Sequence, residues 1–482
     1  MVSRPGGSAE ALRASVSGPG SIVEPVAHVF VFGRGHWGQL GLGSDESFPG
    51  SPQLVQCLLG EDVASVGAGY NHTLVATRSG DLYAWGHGGC GKLGLGKCTH
   101  EPKPVRVPMS FTPRQHFAHV ACGDLHSLAV SLQGRVFAWG SNLRGQLGKT
   151  GVSHILSPTL VESGELSKAL AVRQVYAGHS YSACTDATGN LYMWGSGEAG
   201  ELGSGHFQDS STPTQVSSLP GPIVTASAGR FHFVCVVACK PSPRAASSST
   251  TKMSEQVYTW GCGTGGQLGH GDLASVCAPK CVDFFQDLQP SHVAAGAQHT
   301  LIAASQMPGI YSSSSSAATA VYVMGTVFED IDSSDQQRKQ CTTVPLEVEA
   351  TRGLRIQHLA SAAFRVVLSS DDGRVVWWGM PSSRTQPTTI ARLHCQRVVG
   401  IYAGGGDHVC FRIDEAWLQH AEVTRCMECQ QEFSMAQFKH ACVRCAKVVH
   451  SSCSSHRCLI PEIATRPVRV CDSCFRSLQE GR

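Results

Sequence analysis

DLYAWGHGGCGKLGLG, residues 81–96, is one copy of a unit that recurs along the chain. A short aromatic or β-branched run ends in Gly and enters a Gly-rich turn. The same order reads HVFVFGRGHWGQLGLG from His28, RVFAWGSNLRGQLG from Arg135, NLYMWGSGEAGELGSG from Asn190 and VYTWGCGTGGQLGHG from Val257. Two worn copies follow, VYVMG from Val321 and RVVWWG from Arg374. Each copy is trailed by an apolar run, a small-Gly step and often a His: VGAGYNHTLVA, VACGDLHSLAV, VYAGHSYSACT, ASAGRFHFVCV, VAAGAQHTLIA and YAGGGDHVCF, with LASAAFRVVL as the decayed form. Gly33, Gly86, Gly140 and Gly195 lie 53 to 55 residues apart.

A four-stranded unit of about 50 residues cannot bury its apolar faces alone. Stacking such units radially covers both faces and leaves short sheet edges. Phe32, Trp85, Trp139, Trp194, Trp260 and Trp378 supply large area for burial between units, and the Gly after each allows a tight turn. The expected fold is all-β: a seven-bladed β-propeller over residues 28–413, followed by a small two-zinc finger over 417–482. Residues 1–27, rich in Gly, Ser and Pro, are expected to be disordered, and the Ser-rich insertions near 240–255 and 306–319 to be exposed, flexible loops. The repeats resemble those of the regulator-of-chromosome-condensation family, whose usual ring has seven blades. A WD-type propeller is disfavoured because no Trp-Asp dipeptide recurs.

Composition narrows the function. Lys+Arg 38 against Asp+Glu 36 leaves a net charge of +2, which gives no global pull toward nucleic acid or anionic membrane. The N-terminus has no apolar core, so it does not read as a secretory signal, and no 18-residue apolar run occurs. The 21 cysteines are scattered singly apart from one C-terminal cluster, a pattern that suits a reducing compartment better than a disulfide framework.

Several strings imitate nucleotide sites. GRGHWG at Gly33, GSGEAG at Gly195 and GCGTGG at Gly261 satisfy G-x-G-x-x-G, but no amphipathic helix follows to meet a pyrophosphate. GHGGCGK at Gly86–Lys92 imitates a phosphate loop, yet Leu93 stands where Ser or Thr would hold magnesium. The recurring His72, His126, His232, His299 and His408 occupy one place per blade, so a ring holds them apart. Their reading is hydrogen bonding to backbone groups between blades, not a metal site. No Ser, His and acid combination stands outside the repeat, and the chain is read as a non-enzyme with no small-molecule substrate.

After Asp414 the composition changes. Cys426-x-x-Cys429, Cys442-x-x-Cys445, His450-x-x-Cys453 and Cys471-x-x-Cys474 form four ligand pairs, which suits two tetrahedral Zn2+ ions. Cys458, His456 and His440 rank below these eight. Trp417, the stretch EFSMAQFKHACVRC and the closing RPVRVCDSCF resemble a FYVE domain. That resemblance implies a cross-brace, with Cys426, Cys429, His450 and Cys453 on one zinc and Cys442, Cys445, Cys471 and Cys474 on the other. It also implies binding to phosphatidylinositol 3-phosphate on endosomes. Carried over, the chain keeps Lys439, His440 and Arg469 of the lipid-binding motifs, with Met435 at the tip of the membrane-inserting loop. It departs at His420, Phe438, Ala441 and Val443, and Arg444 falls one position late. The short tether of Asp414, Glu415 and Ala416 implies that the finger packs against the propeller or is held close to it.

The expected function is a cytoplasmic adaptor. Its propeller holds a protein partner, with a small GTPase as one candidate, while the finger docks at phosphoinositide-containing endosomal membrane. The alternative is a nuclear chromatin reader or small-GTPase exchange factor with a plant-homeodomain-like finger. Against it, Arg469 stands where that finger carries Trp, and no basic nuclear-localisation run appears. A ubiquitin-ligase RING would place its His one pair earlier, near Cys442.

Overall fold

The computed structural model describes residues 27–44, 52–109, 115–162, 164–169, 171–239, 254–306, 319–328, 339–363, 365–379, 387–390, 393 and 398–414. In the C-terminal segment it describes 426, 428, 429, 431, 439–441, 448–458 and 468–479. The N-terminal segment expected to be disordered lies outside these residues except for Ala27, which already belongs to a strand. Most of both Ser-rich insertions lies outside them too, although Ser254, Glu255, Gln306 and Thr319 are in strands.

The described chain forms seven four-stranded antiparallel sheets, the blades of a propeller. Blade 1 runs Val63–Ala68, His72–Thr77, Leu82–Gly86 and Glu101–Arg106 from the channel outward. Blades 2 to 6 repeat this order, beginning at Phe117, Val172, Ile223, Leu288 and Ile356. Blade 7 is assembled from both ends of the chain. Its inner strands are Val398–Ala403 and His408–Asp414, and its outer strands are Ala27–Gly33 and Gln53–Leu54. Phe30 pairs with Phe411 and Phe32 with Val409. The first aromatic unit and the last Gly-His unit of the sequence are therefore one blade, which closes the ring.

Each second strand is sandwiched between two neighbouring blades, which explains its run of apolar and small residues. His72–Thr77, His126–Ser131 and Tyr181–Asp186 are buried at every position. The outermost strands face solvent along one edge, and those of blades 1 to 5 carry a proline there: Pro104, Pro158, Pro213, Pro279 and Pro345. Proline withholds a backbone donor, so it blunts these edges against pairing with another chain.

The blades are joined by a repeated seam. The histidines of the repeat bond to a hydroxyl of the next blade: His72 Nε2 to Ser127 Oγ at 2.9 Å, His126 to Ser182 at 3.0 Å and His232 to Thr300 at 2.8 Å. His299 meets Ser361 at 2.6 Å, and His408 closes the ring on Thr73 at 3.1 Å. The partner is thus a side-chain hydroxyl rather than the backbone group expected from sequence. Ser127, Ser182, Thr73 and Thr300 pass their own proton to the carbonyls of Lys92, Gln146, Gln39 and Gln267. Each histidine facing one of these four hydroxyls must therefore donate from Nε2. Trp85, Trp139, Trp194 and Trp260 are fully buried and donate to the carbonyls of Gln39, Lys92, Gln146 and Glu201. Where the repeat lacks histidine the seam survives. Tyr181 Oη donates to His232 O at 2.6 Å, and the Arg365 guanidinium donates to Asp407 O at 2.9 Å.

The Gly that follows each aromatic residue has a conformation closed to other residues. Gly86 sits at φ +100°, and a Cβ there would lie 2.5 Å from Asn71 O. Gly86→Ala is expected to cost about 1–3 kcal/mol for the backbone alone, more with the clash. It should appear as a lowered urea midpoint, and an unchanged midpoint would contradict this account.

Candidate metal centre and channel mouth

Two places gather chemistry. The first is the mouth of the central channel, formed by the turns between first and second strands. The residue after the turn glycine differs in each blade: Tyr70, Asp124, His179, Arg230, Ala297 and, in blade 7, Gly405. Asp124 is the node. Its Oδ2 receives His179 Nδ1 at 2.5 Å and Arg230 Nε at 3.2 Å. The Arg230 guanidinium lies over the rings of Tyr70 and Phe231, 5.3 Å from each centroid. Lys92 Nζ donates to Asp124 O at 3.0 Å, and burial pushes the Lys92 amine down to about 8 although Asp124 opposes the shift. Lys92 is 1% exposed, so the apparent phosphate-loop lysine is held inside the seam. Tyr70, Asp124, Arg230 and the turn glycines around them line a cavity of about 60 Å³ at this mouth. Sequence reasoning named none of these mouth residues. The signal was the variable residue after an otherwise repeated Gly.

The second place is the finger. Ligand atoms of Cys426, Cys429, His450 and Cys453 all lie within 4.8 Å of one another. Cys429 Sγ is 3.3 Å from His450 Nδ1, and the His450 amide donates to Cys426 Sγ at 3.4 Å. Burial works against a Cys426 thiolate, yet the backbone N–H groups of Cys429, His450 and Glu428 bring the thiol down to about 7. Burial and the adjoining Cys429 and Cys426 push Cys453 the other way. Thiols so crowded favour a cation that neutralises them together. Three thiols and one imidazole with converging atoms fit tetrahedral zinc.

Among the described residues the surrounding core is small. Cys426, Val449, Val470 and Cys471 are buried, and Cys453, Cys474, Phe475 and Leu478 pack against them. Leu59, from the propeller turn before blade 1, packs there too, so propeller and finger share an apolar contact. Glu428 ties the first Cys pair to the helix Asp472–Gln479 by accepting from Ser473 N at 2.8 Å and Ser473 Oγ at 3.0 Å.

Of the other expected ligands, Cys471 and Cys474 enter this core, while Cys442 and Cys445 lie outside the described residues. His456 stacks on Phe475 at 3.9 Å with its Nδ1 3.3 Å from Asp472, away from the four-ligand cluster. Among the lipid candidates, Lys439 and His440 fall in the strand Lys439–Ala441, with Lys439 paired to His450, and Arg469 falls in Val468–Arg469. Met435 lies outside the described residues.

Comparison with known proteins gives two family matches: an RCC1-like domain over residues 22–302 and a FYVE zinc finger over residues 416–480. The second match excludes the plant-homeodomain alternative. The ultraviolet-B receptor UVR8 of Arabidopsis thaliana is 34% identical over 274 residues, 56% of this chain and 57% of that protein. The human X-linked retinitis pigmentosa GTPase regulator is 33% identical over 276 residues, 57% of this chain and 25% of that protein. The chain thus spans about half of the first relative's length and a quarter of the second's. Among solved structures, Prp20p from Saccharomyces cerevisiae, described with its binding to Gsp1p and histones, superposes with a TM-score of 0.64 at 20% identity. That superposition covers 81% of this chain and 92% of Prp20p.

Proposed function

From the chain's membership of the RCC1-like domain family, with a FYVE zinc finger at its C-terminal end, we propose a non-enzymatic adaptor. In this reading the finger docks at phosphoinositide-containing endosomal membrane while the propeller holds a protein partner. The supporting observation is topological. Strands alternate in direction within each blade, so the turns bearing Asp124, His179 and Arg230 lie on one face of the ring. The chain leaves the last strand at Asp414 on the opposite face, where Leu59 meets the finger core. A finger seated on a membrane would leave the channel mouth open to the cytoplasm.

Two zinc ions complete the finger in this reading, the first on Cys426, Cys429, His450 and Cys453, the second on Cys442, Cys445, Cys471 and Cys474. Zinc supplies folding energy and holds the basic strand in place. Lys439, His440 and Arg469 offer donors to the headgroup and Met435 an apolar contact. For the mouth we place a small GTPase first, since a relative 33% identical bears the name of a GTPase regulator. Among the described residues no helix is long and apolar enough to cross a membrane, so attachment by the finger would be peripheral.

Co-sedimentation of the zinc-loaded full chain with vesicles tests the membrane half. Pelleting should require phosphatidylinositol 3-phosphate, and equal pelleting with phosphatidylinositol alone would sink it. Capture of a panel of small GTPases by the full chain, compared with Asp124→Ala, tests the partner half: a GTPase held by the parent and lost in the variant is expected, and no capture by the parent would sink it.

A further inference from the structure

The two-residue strands Arg457–Cys458 and Val468–Arg469 pair antiparallel, with Arg457 directly opposite Arg469. Like charges at opposed positions of a ladder weaken it, and so short a pair has few rungs to compensate. Arg457 is exposed and, among the described residues, has no hydrogen-bond or ion-pair partner. Elsewhere several exposed arginines meet carboxylates: Arg78 with Asp62 at 3.3 Å, Arg106 with Asp81 at 2.5 Å and Arg352 with Glu347 at 2.8 Å. Among the described residues of the finger the nearby acids are committed. Glu428 caps the helix through Ser473, and Asp472 faces His456.

Two arginines at one register position, with the described carboxylates Glu428 and Asp472 engaged, suit a dianion better than they suit each other. We infer that Arg457 is a second phosphate-binding arginine of the finger, forming with Arg469 a two-guanidinium seat for the phosphomonoester of a phosphoinositide headgroup. Arg457 lies outside the basic motifs that pointed to Lys439, His440 and Arg469. It offsets the donors missing at Phe438, Ala441 and Val443. A phosphomonoester carries close to two negative charges at neutral pH, whereas the phosphodiester of plain phosphatidylinositol carries one, so the seat discriminates between them. The inference rests on the membrane-docking reading above.

The test uses the zinc-loaded full chain, with Arg457→Gln, Arg469→Gln and the exposed helix arginine variant Arg476→Gln as control. Two readouts separate the claims: pelleting with vesicles containing phosphatidylinositol 3-phosphate, and hydrogen exchange across 453–471 with and without inorganic phosphate. Arg457→Gln and Arg469→Gln should each weaken vesicle binding about tenfold and lose phosphate protection, while Arg476→Gln does neither. Unchanged pelleting and unchanged protection in Arg457→Gln would overturn the seat and leave the membrane reading standing. Phosphate protection that depends on Arg457, without vesicle binding by the parent, would keep the seat and remove the lipid. Neither effect in the parent would overturn both.

Discussion

Acidification from pH 6.5 to about pH 5 should unfold the propeller. Burial lowers His126 and His299 to about 4 and His232 and His408 to about 3, and it holds His72 well below its ordinary 6.5. Each is neutral in the fold and free to take a proton once unfolded. Their stabilisation is complete above pH 6.5 and is lost as pH falls from there toward the folded values. One histidine contributes about 1.4 kcal/mol per pH unit in that window, so five acting together remove roughly 7 kcal/mol per unit. A typical domain has only about 5–15 kcal/mol to lose. Carboxylates such as Asp372, held at about 2 by Arg374, act at lower pH and leave the window to histidine. Thermal unfolding followed by tryptophan fluorescence should show a midpoint that drops steeply below pH 6.5. His232→Gln should be weaker at pH 7, having lost its bond to Thr300, yet show a shallower acid slope. A midpoint flat from pH 6.5 to 5 would contradict the seam.

Removal of zinc should unfold the finger and leave the propeller's own transition in place. Among the described residues the finger core has four buried apolar residues and a few half-buried neighbours, far too little apolar area to offset the entropy of ordering its chain. Structural zinc contributes about 10–16 kcal/mol of apparent binding energy in small fingers near pH 7, more than so small a core can supply. Chelation should therefore release the amides of 448–458 and 468–479 to fast exchange and expose the ligand thiols to a thiol reagent. The metal content of the parent should be two equivalents of zinc, and Cys426→Ser should lose at least one. One equivalent in the parent would remove the second site, and a finger that stays protected without metal would overturn the account. Since Leu59 completes the finger core, Leu59 amides should also exchange faster after chelation.

The blade count was legible because every blade must solve one local problem with one local answer. An aromatic residue, a left-handed Gly and a buried second strand recur wherever a sheet packs between two others. The converging pairs Cys426–Cys429 and His450–Cys453 were legible because two-residue spacing can bring both ligands of a pair onto one ion without distant help. The prolines of the outer edges stood equally plain in the sequence and were missed, since their purpose appears only when those strands become edges. What the chain order concealed was decided by closure of the ring. Strands near residue 30 and residue 410 complete one blade, a pairing that no local pattern encodes. Closure also gathers Asp124, His179 and Arg230 from three blades into one mouth and buries Lys92 beneath them. It sends the finger to the opposite face as well. Short-range geometry repeats and can be read along the chain. Contacts made across the circle depend on how many units close it, and only the folded ring holds that information.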